Sequence, residues 1–68
     1  MKIRYDVSDG FGGGMRFEDQ REAFDLAKKC AAQKGMCFFM ERLVWDQDGR
    51  ISVSTVAVNP DWGWYKVN

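Results

Sequence analysis

The side chains able to carry chemistry are few, and their pattern points to binding rather than to a reaction. No histidine is present, so a proton-transferring group working near neutral pH would have to be a carboxylate or a lysine with a displaced pKa. No spacing in the chain marks one. Cys30 and Cys37 are the only cysteines, too few for a four-ligand zinc site or a disulfide framework. Seven residues apart across a helix stop, they read as free buried thiols, although a bridge between them is geometrically open. Cys30 falls on the inward face of a predicted helix and has no candidate base. The chain is therefore expected to be no enzyme and to need no metal or cofactor.

Two loops resemble ligand-binding motifs and fail on inspection. Gly10-Phe11-Gly12-Gly13-Gly14 has the glycine content of a phosphate loop, but Met15-Arg16-Phe17 follows it and the next helix starts only near Asp19, behind acidic residues. It reads as a hairpin loop, with Phe11 at its tip as a contact. Asp46-Gln47-Asp48-Gly49 has the start of a calcium loop without its downstream ligands, and reads as a turn.

The binding candidates are cations and rings. Arg21, Lys28, Lys29 and Lys34 lie on or near the solvent side of the helix, and Phe24 flanks the inward stripe beside Lys28. Trp62, Trp64 and Tyr65 crowd the end of the chain, more ring surface than one small core hides. Alternation along a strand places both tryptophans on one face and Tyr65 on the other, so the three cannot enter the same core.

These residues must be positioned by a single domain spanning residues 1–68, without repeat, linker or low-complexity tail. A chain of this size buries only roughly 60% of the surface that its unfolded form exposes. Ten basic residues balance ten acidic ones, which removes any overall field toward nucleic acid or anionic membrane and disfavours an acidic nucleic-acid mimic. Apolar runs such as Cys37-Phe38-Phe39-Met40 are far too short to span a membrane, and the N-terminus has no signal-peptide pattern. A cytoplasmic protein with no membrane partner is the expectation.

The elements follow from periodicity. Lys2 to Val7 alternates, with Ile3, Tyr5 and Val7 facing inward, and Met15-Arg16-Phe17 returns as the second arm of a hairpin. Asp19 and Glu22 have capping-box spacing, and Ala23, Leu26, Ala27, Cys30 and Ala31 form one helical face whose small residues allow close approach to a sheet. Glu18, Asp19 and Glu22 at its start, and Lys28, Lys29 and Lys34 toward its end, match the helix dipole, and Gly35 ends it.

Met36 to Trp45 and Arg50 to Val58 form a second hairpin. Within its second arm Ile51 and Val53 have one parity, Val56 and Val58 the other. Either both sheet faces carry apolar side chains there, or a bulge near Ser54-Thr55 shifts the register. A turn at Asn59-Pro60-Asp61 leads to a last strand between Trp62 and Val67. The predicted class is α+β: a single, mostly antiparallel sheet of four or five strands with one helix on one face, in the order β-β-α-β-β-β. One helix covers one face only, and part of that.

In layout, with its initial strand, its helix start Phe17-Glu18-Asp19-Gln20-Arg21-Glu22-Ala23-Phe24-Asp25-Leu26-Ala27 and its terminal antiparallel meander, the chain resembles small phage-encoded inhibitors of host machinery. Among these are the sheet-plus-helix anti-CRISPR proteins that act on type I surveillance complexes, and the small phage inhibitor of bacterial RNA polymerase. The resemblance is one of element order and transfers no functional residue. It implies steric inhibition of a bacterial host protein complex that handles nucleic acid, inside the host cytoplasm. Direct nucleic-acid binding, through aromatic stacking and the local basic stripe, is the second reading. Self-association through the uncovered sheet face is the third.

Overall fold

A computed structural model of the protein describes residues 2–61 and 63–67. Strands β1 (Lys2–Ser8) and β2 (Gly14–Phe17) precede helix α1 (Gln20–Lys34), and β3 (Phe38–Trp45), β4 (Ile51–Val58) and β5 (Trp64–Lys66) follow it. The predicted class and element order hold. All five strands join one antiparallel sheet in the order β2-β1-β3-β4-β5, so the helical connection carries the chain over β1.

The helix ends are set by their caps. Asp19 adopts an extended conformation, and its Oδ1 accepts from the Arg21 N–H at 3.0 Å, satisfying a donor that the helix leaves open. Gly35 takes the left-handed conformation (φ 65°) and its N–H donates to the Ala31 carbonyl at 2.9 Å, a geometry that a residue with a Cβ adopts at a cost.

Ala23, Ala27 and Ala31 are fully buried against Tyr5, Val7, Phe38, Met40 and Val58, with Leu26, Cys30, Ile3 and Val56 packed around them. Three alanines along one stripe leave room for the helix axis to lie close to the sheet. At its N-terminus the Tyr5 hydroxyl donates to Gln20 Oε1 at 3.4 Å.

The register of β3 with β4 is unbroken from Phe38 opposite Val58 to Trp45 opposite Ile51, so no bulge intervenes. Directly opposed residues share a sheet face and neighbours in sequence alternate. Val56 and Val58 therefore face the helix while Ile51 and Val53 face away from it. Both faces of β4 carry apolar side chains.

Candidate functional site

The helix has about 22 Å of length to lay along the sheet, at 1.5 Å for each of its 15 residues. Its buried contacts are with Tyr5 and Val7 of β1, Phe38 and Met40 at the start of β3 and Val58 at the end of β4. The other half of the hairpin, Arg42–Trp45 with Ile51–Ser54, projects beyond it, flanked on one side by Lys2 to Arg4 of β1. The described residues extend 40 Å along the longest principal axis, against 21 and 19 Å in the other directions.

The arm is apolar and outside the core. Leu43, Val44, Trp45, Ile51 and Val53 do not belong to the buried cluster or to the side chains packed on it. Ile51 is 53% exposed and Val53 41%. On the face away from the helix Leu43 stands opposite Val53, and Trp45 opposite Ile51. Farther along that face Phe39, Ala57 and Tyr65 form a row across three strands, in which Ala57 is fully buried between its larger neighbours.

Charge borders this surface. Lys2 Nζ and Arg4 Cζ lie 5.6 and 5.2 Å from the Trp45 ring centroid, a cation–π arrangement that holds both stems against the indole. Asp6 sits between two arginines, with Arg4 Nη2 at 3.2 Å from its Oδ2 and Arg16 Nε at 3.9 Å from its Oδ1. Glu41 is opposite Asp6 on the next strand, so the open face carries both signs of charge. At the arm's tip Asp46 Oδ1 accepts from the N–H groups of Asp48 and Arg50, each at 2.9 Å, and Gly49 takes a positive φ of 81°. The turn is thereby fixed by side-chain hydrogen bonds independent of the helix.

The residues expected from sequence to make contacts are dispersed. Phe11 is 83% exposed on the glycine loop, where Asp9 Oδ1 accepts from its N–H at 2.8 Å. Arg21, Lys29 and Lys34 are exposed along the helix. Lys28 is folded over the Phe24 ring, 5.2 Å from its centroid, with Asp25 Oδ1 at 3.5 Å. Phe24 in turn meets Trp64 edge to face at 6.1 Å. Trp64, opposite Val58, is on the helix side yet 60% exposed at the sheet edge, whereas Tyr65, opposite Ala57, is 52% exposed on the open face. Trp62 lies outside the described residues.

Sequence reading did not single out the exposed Ile51 and Val53, or the half-buried Phe39, Leu43 and Trp45 on the same face, as contact residues, because apolar strand residues ordinarily signify core. The parity change along β4 was the available signal. Cys30 and Cys37 are free thiols and partly buried, and the Cys37 thiol donates to Asn59 Oδ1 at 3.0 Å.

Among the described residues no three His, Cys, Asp or Glu side chains converge as a metal site would require, and no helix is long and apolar enough to cross a membrane. No protein-family model, curated protein or solved structure matches the chain. Its function is therefore argued from its own geometry.

Proposed function

We propose that the protein is a non-enzymatic protein-binding module whose contact surface is the open sheet face and projecting arm of β3 and β4. The observation that carries this is the apolar arm itself, where Ile51 and Val53 are exposed beside the half-buried Leu43 and Trp45 and none of the four belongs to the core. Contiguous exposed apolar surface framed by charge is the usual composition of a contact patch. Strands of 7, 4, 8, 8 and 3 residues, about 4.8 Å apart with about 3.3 Å per residue, make a face of about 475 Å² in projection, more than half of the roughly 800 Å² that a standard interface takes from each partner. The layout resemblance to small phage inhibitors extends the proposal: the occupied partner is a bacterial complex that handles nucleic acid, blocked sterically in the host cytoplasm by a protein of phage or mobile-element origin.

Comparative capture from bacterial lysates tests this reading. Wild-type protein is expected to retain a stoichiometric partner that Leu43→Lys with Val53→Lys loses and Lys29→Glu keeps. Retention by the arm variant, or no partner from any host tried, counts against it.

One observation favours nucleic acid instead. Phe39, Trp45 and Tyr65 share the open face with Lys2, Arg4 and Arg16, the combination that single-strand binders use. Against it, Asp6 and Glu41 sit among those cations, and Lys2 and Arg4 already occupy the Trp45 ring.

A further inference from the structure

The sheet offers a slot for one more strand, and hydrogen-bond parity locates it. In an antiparallel ladder successive residues direct their backbone groups to opposite sides. Thr55 O accepts from Val67 N–H at 2.9 Å and Asn59 N–H donates to Gly63 O at 2.7 Å, both on the β5 side, whereas Arg50 O accepts from Asp46 N–H at 3.0 Å on the β3 side. Odd-numbered residues of β4 thus direct N–H and C=O away from β3. β5 pairs with Val56 to Val58 only, and Val67 reaches Thr55. Ile51 and Val53 therefore present two donors and two acceptors, about 6.8 Å apart, with no strand beside them among the described residues.

This edge is unguarded. Proteins ordinarily protect free strand edges with charge, proline or a bulge. The free half of β1 carries Lys2 and Arg4 and the outer strand β2 carries Arg16, but Ile51–Val58 contains no charged residue, no proline and no bulge. Ile51 and Val53 add exposed side chains on the open face, while Ser52 and Ser54 face the other way.

The geometry points to an extended segment of a partner protein, added antiparallel to β4 along Ile51–Val53 as a sixth strand in line with β5. Only an extended backbone matches two donor–acceptor pairs at that spacing. The side chains specify its sequence: apolar at alternate positions, where they pack on Ile51 and Val53, and polar between. A second copy of this chain does not fit by the same edge in the register that pairs the two Ile51–Val53 segments with each other. With Ile51 opposite its Val53, its Gly49 falls opposite Thr55, where Val67 already stands. This inference rests on the arm being the contact surface, and adds that its edge, not only its face, is used.

The test is amide NMR of the protein with the capped peptide Lys-Val-Thr-Val-Thr-Val-Thr-Val-Lys, and with the same peptide N-methylated at alternate residues on its pairing edge. The unmethylated peptide is expected to shift the Ile51 and Val53 amide signals saturably and slow their exchange, and the methylated one to do neither. Val53→Pro removes an outward N–H without touching the β3 ladder, and is expected to abolish the effect. Equal action of both peptides, or shifts confined to β2 or the helix, overturns the inference. So does self-association of the peptide-free protein that Val53→Pro abolishes. Shifts at Leu43 and Trp45 side chains with silent Ile51 and Val53 amides would refute the edge and leave the contact face standing.

Discussion

Val58→Ala and Val53→Ala make one chemical change on one strand, on opposite faces of the sheet, and their unfolding energies should differ accordingly. Val58 is 0% exposed and packs in the cluster with Tyr5, Met40 and the helix alanines. Losing two methyl equivalents at about 0.8 kcal/mol each removes about 1.6 kcal/mol of transfer energy. The void left under the helix adds about 1 kcal/mol, for a total of about 2.5. Val53 is 41% exposed, so little more than half of the transfer energy is at stake and water fills the space, leaving a loss of about 1 kcal/mol. The reduced strand propensity of Ala enters both and cancels in the difference.

That difference of about 1.5 kcal/mol corresponds to about 6–12 °C in Tm for a domain this small. Urea unfolding followed by tryptophan emission, with equal slopes for the two variants, measures it directly. Equal losses, or a larger loss for Val53→Ala, would mean that the arm is part of the core, and would refute the division between core and contact surface.

Other substitutions test the supports of this arrangement. Ala27→Leu forces extra volume between helix and sheet at a fully buried position and should cost about 1–3 kcal/mol in thermal unfolding. Gly35→Ala meets nothing within 4 Å of the new Cβ, so its cost is backbone strain alone, about 1 kcal/mol, and Gly35→Asn should recover part of it. Asp46→Ala deletes two hydrogen bonds at the arm's tip and should cost about 1–2 kcal/mol, with faster amide exchange in β3 and β4 and unchanged exchange in the helix. A single-stranded oligonucleotide at low salt should leave tryptophan emission unchanged, whereas salt-sensitive quenching would establish the nucleic-acid reading.

Local periodicity made the elements legible. Alternation from Lys2 to Val7, the alanine stripe with Asp19 and Gly35 at its ends, and the turn at Asp46 to Gly49 each follow from short-range chemistry, and each forms where expected. The parity change in β4 left open apolar side chains on two faces or a bulge near Ser54-Thr55, and the unbroken register with β3 decides for the first. How far the helix reaches along the sheet was not legible, because it depends on where α1 docks across strands distant in sequence.

Ile51 and Val53 are surface for another reason: they lie on the sheet face away from the helix, where no helix of the described chain packs. Trp64 shows the complementary limit: alternation separates it from Tyr65, yet its exposure follows from β5 being a short edge strand, a property of strand order. Lys28 was placed on the solvent side of the helix with Phe24 beside it, and its position four residues after Phe24 brings it over that ring.

Amide exchange of the protein alone and in complex with its captured partner tests the central claim most directly. Slowed exchange at Leu43 to Trp45 and at Ile51 to Val53, with the helix from Arg21 to Lys34 unchanged, is the predicted result. Protection along the helix around Arg21, Lys29 and Lys34, with the arm unaffected, would contradict it.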